Sequence, residues 1–191
     1  IRVFNGKDTR TMTCKEGHTG DTGARDWGGN FSMTLMDPKT NLPWKKQLSL
    51  KQIIDLEFPS ENIKASHWLS PTSGKPQREG WACPDCNKEK KLPEGQWDVK
   101  DYTSKMIISK LPEIITVAVQ RFDAHRNKIN TQIPINHSIN LRKYTTDTSE
   151  ANYTLKAIIR HRGNTVKSGH YIADCNVMGE WYHFDDMQEP E

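Results

Sequence analysis

Hydrophobic spacing divides the chain into two parts. From Met106 onward apolar residues alternate with polar ones or gather in short β-branched runs, at 106–108, 114–122, 132–135, 153–161, 170–176 and 181–184, which is the period of strands. Turn residues fall between these runs, at Lys110-Leu111-Pro112, Asn127-Lys128 and Arg162-Gly163-Asn164, where a sheet reverses. The second half is therefore expected to be an antiparallel sheet. The run starting at His170 leaves a glycine turn, and the run at 181–184 reads as its return strand, so His170 and Asp185 are expected to face each other across a hairpin.

The first half is less regular. Val3, Phe4, Met12 and Cys14 suggest a short hairpin broken at Asn5-Gly6, and residues 15–30, with five glycines and few apolar side chains, predict a loop. Residues 31–36 alternate as a strand that stops at the turn pair Asp37-Pro38. Leu50, Ile53, Ile54 and Phe58 recur at helical spacing between a Ser49 N-cap and Pro59, which predicts a short amphipathic helix over 50–58. Residues 70–79 read as a second loop.

Composition changes this picture little. The chain has 191 residues, enough for one large domain or two small ones, and 34% hydrophobic with 27% charged residues is polar for a globular protein. Six Trp, five Tyr and five Phe nevertheless require a folded interior. Net charge is +3, with one short basic cluster at Lys88, Lys90 and Lys91, so charge gives no indication of nucleic acid as a partner. No apolar run approaches the roughly 18 residues that span a bilayer. The start at Ile1, with neither Met nor a signal pattern, suggests a piece of something longer.

Candidate chemistry lies in the cysteines and in His170. Cys83-x-x-Cys86 is one zinc knuckle, and Cys14 with His18, spaced C-x-x-x-H, can supply the other half of a four-ligand structural site. The competing reading is that the three cysteines pack without metal. Without a secretory signal, the pattern favours reduced thiols and an intracellular setting. A lone histidine is ordinarily structural, but Gly169 leaves room for a substrate backbone beside His170, and Asp185-Asp186 waits at the end of the next strand. A base oriented by a carboxylate is the arrangement that activates Ser or Cys nucleophiles. His161, flanked by two arginines, suggests a structural role or one of supporting a catalytic neighbour without touching substrate, and His183 reads as an exposed strand residue. Cys175 lies five residues past His170 and so on the opposite strand face, and no cysteine is a convincing nucleophile.

At this point the motifs resemble the ubiquitin-specific proteases, papain-like cysteine peptidases. Leu111-Pro112, followed by Ile114 through Gln120-Arg121-Phe122, is similar to the family's LP..L...LKRF strand, with Gln120 where Lys is usual. Lys128, Ile133-Pro134-Ile135 and Ile139-Asn140-Leu141 through Tyr144 resemble K....V.FP..LDL..Y, and Tyr153 through Gly163 resembles Y.L.AVI.H.G. Ser168-Gly169-His170-Tyr171-Ile172-Ala173 resembles GGHY.A, and Trp181 through Asp186 resembles W..FDD.

The resemblance implies an α+β, papain-like fold fragment: an antiparallel palm sheet with the His box over 106–191, and a β-rich fingers extension with an inserted short helix over 1–105. It implies His170 as catalytic base, Asp185 as its orienting carboxylate and Asp186 as a helper, with Gly169 and Tyr171 at the substrate. Cys14, His18, Cys83 and Cys86 fall in the fingers, as a site for structural zinc that lacks the usual second cysteine of its first knuckle; catalysis itself needs no cofactor. The implied partners are ubiquitin and ubiquitinated proteins, with no nucleic acid and no membrane, in cytoplasm or nucleus. The family's nucleophilic Cys and oxyanion Asn belong to an N-terminal thumb, and nothing before Phe4 supplies them. The expectation is thus a ubiquitin carboxyl-terminal hydrolase from which this chain holds the base and carboxylate without the thiol, inactive alone. The alternative is a non-catalytic ubiquitin-binding pseudo-enzyme or truncated module.

Overall fold

Strand pairing rather than helix packing organises the chain. The computed structural model describes residues 2–27, 30–37, 40, 42–73, 75–165 and 167–186. After a 3-10 turn at Arg2–Phe4, the elements of the first half are β1 (Lys7–Cys14), β2 (Thr19–Asp21), β3 (Arg25–Asp26), β4 (Phe31–Thr34), β5 (Met36–Asp37), β6 (Leu42–Pro43), α1 (Leu50–Glu57), β7 (Ser60–Ile63), β8 (Ser66–Leu69) and β9 (Pro76–Glu79). They continue with α2 (Pro84–Glu89), β10 (Tyr102–Lys110), β11 (Val117–Gln120), β12 (Ser138–Asn140), β13 (Asn152–Thr154), β14 (Ala157–Arg162), β15 (His170–Val177) and β16 (Glu180–Phe184). No described helix is long and apolar enough to cross a membrane.

The elements fall into two interleaved units. The first comprises 1–28, 57–113 and 144–149; the second comprises 29–56, 114–143 and 150–191.

The first unit is an antiparallel sheet in the order β2-β1-β10-β7, with β3 also on β1, and a separate β8–β9 hairpin. The Asn5-Gly6 signal does not make a hairpin. Val3 and Phe4 lie in the 3-10 turn, and β1 pairs instead with β10. Gly6 serves a close approach, because a Cβ there would lie 2.4 Å from the Trp27 ring. The expected loop at 15–30 contains two short edge strands, β2 and β3. Buried Asp8 pins β3: it accepts from Arg25 Nε at 3.1 Å and Nη2 at 2.9 Å and from Trp27 Nε1 at 2.9 Å, a bidentate pair that a pattern of apolar residues cannot reveal. The expected loop at 70–79 likewise contains β9. Gly28 and Gly29 of the first expected loop, and Pro38 of the Asp37-Pro38 turn, lie outside the described residues.

In the second unit α1 forms where its spacing predicts, burying Ile53 and Ile54. Ser49 caps it reciprocally: Gln52 N donates to Ser49 Oγ at 3.3 Å and Ser49 N donates to Gln52 Oε1 at 2.9 Å. Three strand expectations change. Residues 114–122 shorten to β11, which runs parallel to β4 through the register Val117↔Phe31 to Gln120↔Thr34 and does not join the C-terminal sheet. Residues 132–135 form no strand, since Pro134 has no N–H to give a ladder and its carbonyl instead receives Leu50 N at 3.3 Å. The run 153–161 splits into β13 and β14 at Leu155-Lys156, where pairing changes from β12 to β15.

The sheet β14-β15-β16 is antiparallel as expected. β15 returns as β16 through Met178-Gly179, both at positive φ (52° and 103°), the two-residue turn whose twist matches the flanking strands. Nothing lies within 4 Å of a Cβ built on Gly179, so its conformation alone demands glycine. Gly179→Ala is expected to destabilise the chain by about 1 kcal/mol with no change in the slope of a urea unfolding curve.

Candidate active site and metal cluster

Register carries His170 to Asp185. β15 pairs with β16 as Ala173↔Phe184 through Val177↔Glu180. One step past Phe184 the chain is on the His170 face of the sheet, two residues away along β15, a diagonal that longer side chains close. His170 Nε2 donates to Asp185 Oδ1 in a close hydrogen bond, Asp185 Oδ2 lies 3.8 Å from Arg162 Nη1, and Asp186 Oδ2 lies 3.5 Å from His170 Nδ1. Asp186 has φ +52°, a left-handed conformation that turns its carboxylate back to the ring. The Asp185 hydrogen bond, opposed by partial desolvation, raises the His170 imidazole above its ordinary 6.5, and the same bond holds Asp185 below 3.8.

The other residues of this face form a second pair. His183 Nδ1 lies 2.8 Å from Asp174 Oδ1, and Arg160 Nη2 lies 2.5 Å from Asp174 Oδ2. His183 is thus half-buried and bonded rather than a free surface residue. The signal was available: a two-residue turn at Met178-Gly179 makes Val177↔Glu180 obligatory, and counting back gives Asp174↔His183. Cys175 lies on the opposite face of β15 from His170, as strand alternation requires. Gly169 precedes His170 with its Cα packed on His161: a Cβ would meet His161 Nε2 at 2.0 Å and Arg162 O at 2.5 Å. Its missing side chain thus makes room for an internal ring. Tyr171 is 65% exposed, its ring 4.8 Å from that of His161.

In the first unit Cys14, His18, Cys83 and Cys86 converge, their ligand atoms all within 4.8 Å of one another. Four ligands at zinc–sulfur and zinc–nitrogen bond lengths around one tetrahedral centre stand about 3.8 Å apart for S···S and about 3.6 Å for S···N. The cluster has Cys14 Sγ–Cys86 Sγ at 3.7 Å and His18 Nδ1 at 3.6, 3.8 and 3.3 Å from the sulfurs of Cys14, Cys83 and Cys86. The group can therefore hold a metal ion. The geometry comes from two tight turns. Gly17 N donates to Cys14 O at 3.0 Å with Gly17 at φ +87°, and Cys83 stands just before Pro84 at the first turn of α2. Buried Asn87 locks the second knuckle, donating to Cys83 O at 2.8 Å and Asp98 O at 3.1 Å and accepting Asp98 N at 2.8 Å.

The surroundings suit a cation. His18 turns its other nitrogen to Glu89 Oε1 at 3.7 Å, the carboxylate contact that orients metal-binding imidazoles. Lys100, 3.0 Å from Glu16, holds that carboxyl down at about 2. Burial, then hydrogen bonding to the neighbouring Cys83 and Cys14 thiols, push the Cys86 thiol up to about 12. A bound cation acts in the opposite direction.

With both constellations defined, comparison with known proteins gives one answer. The family described as ubiquitin carboxyl-terminal hydrolase matches residues 1–189. The chain belongs to this family. Ubiquitin carboxyl-terminal hydrolase 3 of Homo sapiens is 30% identical over 120 residues, covering 58% of this chain and 21% of that protein. Ubiquitin carboxyl-terminal hydrolase 23 of Arabidopsis thaliana is 34% identical over 86 residues, 43% of this chain and 10% of its own length. Ubiquitin carboxyl-terminal hydrolase 4 of Mus musculus is 27% identical over 181 residues, 85% of this chain and 17% of its own. The chain thus spans between a tenth and a fifth of these relatives. Among solved structures, the SAGA DUB module of Ubp8, Sgf11, Sus1 and Sgf73 bound to ubiquitin aldehyde contains a chain that superimposes with a TM-score of 0.67 at 20% identity, covering all of this chain and 38% of that one. That likeness shows the α+β, strand-rich fold expected from the motifs.

Asp185→Asn is expected to lower the His170 titration midpoint, read from ring NMR shifts. Because Asp185 raises the folded midpoint, the stability it contributes through His170 is fully present below about 6.5 and is lost as pH rises through the raised value. The wild type minus Asp185→Asn stability difference should therefore shrink on going to alkaline pH.

Proposed function

We propose that this chain is the base-bearing part of a cysteine-dependent deubiquitinase, a ubiquitin carboxyl-terminal hydrolase that cleaves ubiquitin from protein conjugates. The observation that carries the reading is the pairing of His170 through Nε2 with Asp185, which leaves Nδ1 as the nitrogen that can take a proton. Family membership supplies the reaction in which such a nitrogen is used.

In this mechanism His170 Nδ1 accepts the proton of a cysteine thiol while Asp185 holds the ring and stabilises the imidazolium. The thiolate attacks the carbonyl after ubiquitin's C-terminal glycine, the imidazolium returns its proton to the leaving amine, and water then releases the acyl-enzyme with His170 again as base. Asp186, 3.5 Å from Nδ1, adds negative potential on the side the thiol approaches. Cys14, Cys83 and Cys86 are committed to their own cluster, and Cys175 is on the wrong face of β15. In this reading none of the four cysteines of this chain is the attacking thiol. Tyr171, exposed and next to His170 along β15 though on its other face, and the backbone at Gly169 are the surfaces proposed to meet the ubiquitin tail.

Cys14, His18, Cys83 and Cys86 hold a structural zinc in the same reading, two sharp turns fastened to one ion in the finger part while the palm part carries His170. The four free cysteines fit a reducing, intracellular compartment.

This chain is expected to bind ubiquitin without turning over a ubiquitin-amide fluorogenic substrate. The complete protein should turn it over, and His170→Ala should lower kcat/KM there by roughly a thousandfold; unchanged turnover in that variant would overturn the assignment of the base. For the metal, cobalt reconstitution of the chain should give intense thiolate-to-cobalt bands at one equivalent that weaken in Cys86→Ser. A flat spectrum would leave the cluster as packing alone.

A further inference from the structure

The seven residues between β14 and β15 deliver His170 to the sheet, and a lysine from far back in the sequence holds them. Lys128 Nζ donates to the carbonyl oxygens of His161 at 2.8 Å and Gly163 at 2.6 Å, and lies 3.3 Å from His161 Nδ1. An ammonium has three hydrogens and no lone pair, so these three contacts use it fully and require His161 Nδ1 to be an acceptor.

That ring is held on its other sides as well. Tyr171 packs at 4.8 Å between ring centroids and Phe122 edge-on at 6.3 Å. Its Nε2 edge fills the space that a Cβ on Gly169 would take, 2.0 Å away. Gly169 immediately precedes His170, and Arg162, immediately after His161, is the cross-strand partner of His170. The contacts thus run without a gap from Lys128 through His161 and Gly169 to His170. Lys128 is brought to the loop by a turn in which Asp123 Oδ1 accepts His125 N at 2.9 Å and Asn127 N at 2.8 Å, and by the bridges Phe122↔Lys128 and Asn127↔Thr165.

We propose that Lys128 and His161 are positioning residues that set the backbone entering β15, and through it the direction in which His170 presents Nδ1. The proposal rests on His170 being the base. The side chains that face the loop and the ring are the ammonium of Lys128, the guanidinium of Arg162, and the carboxylates of Asp185 and Asp186. Loss of the lysine leaves two carbonyls and a ring nitrogen without their donor, which allows the loop to relax and His170 to swing from Asp185.

The test has two readouts. In this chain, Lys128→Met should move the His170 titration midpoint down toward 6.5 while the amide shifts of Ile172–Val177 and Glu180–Phe184 stay at their wild-type positions, and Lys128→Arg should recover part of the change. In the complete protein, Lys128→Met should lower kcat on a ubiquitin-amide substrate on the order of tenfold or more while KM changes by less than about twofold. A folded Lys128→Met chain with an unshifted His170 midpoint would overturn the proposal. If Lys128→Met does not fold, Lys128→Gln, which still donates to the two carbonyls, is judged by the same midpoint. A shifted midpoint in a wild-type protein that lacks turnover would instead count against the deubiquitinase reading and leave the positioning pair standing.

Discussion

The two-residue turn at Met178-Gly179 is the constraint on which the rest of the candidate site depends. Because a side-chain period of two leaves no intermediate register, fixing Val177 opposite Glu180 fixes every cross-strand pair behind it. Asp174 then meets His183, and the first residue beyond β16 falls on the face of His170. A slip of one residue would carry Asp185 to the face of Cys175 and Tyr171 and break its contact with His170 Nε2. The αL requirement at both turn positions is what prevents that slip, since a longer loop would permit more than one pairing.

In the first unit a bound ion would take the place that a large apolar core takes elsewhere. The sheet β2-β1-β10-β7 is long but narrow, and the side of it that ends at Cys14 is sealed by three sulfurs and Trp81 rather than by branched aliphatic side chains. Thiols packed at van der Waals distance contribute little directional energy, yet here they are spaced at tetrahedral ligand distances and fastened by an Asn87 that satisfies three backbone groups at once. Such a frame could hold a metal ion.

Much of this was legible in the sequence, and the failures have a common cause. The helix starting at Leu50 and the strands at 170–176 and 181–184 follow from local periodicity and are present in the structure, and Cys14, His18, Cys83 and Cys86, picked out by ligand spacing, converge into a group that could hold a metal ion. What could not be read was any feature set by a distant partner. Gly6 reads as a turn because the Trp27 ring it packs on is twenty-one residues away, and nothing local to Gly169 reveals that the His161 ring of another strand packs on it. β11 looked antiparallel because nothing in its own residues names β4 as its neighbour. Lys128 is visible in the sequence as a turn and motif residue, but its three acceptors, two carbonyls and a ring nitrogen, are gathered only by the folded loop.

The His170 pair is hard to explain by stability. Both partners reach solvent, where ion pairs are screened and contribute little, and Arg162 already stands within 4.0 Å of Asp185 as an alternative counter-ion. Asp186 moreover takes a left-handed backbone that a non-glycine residue adopts only against steric resistance, and what it gains is a longer contact with the same ring. A fold selected for stability alone would relax both features, by a glycine at 186 and by pairing Asp185 with Arg162. Keeping two carboxylates around one half-exposed imidazole raises the affinity of that ring for a proton while leaving it open to solvent. The proposed role of His170 as base would use both properties, since the ring would take its proton from a thiol that reaches it from the open side.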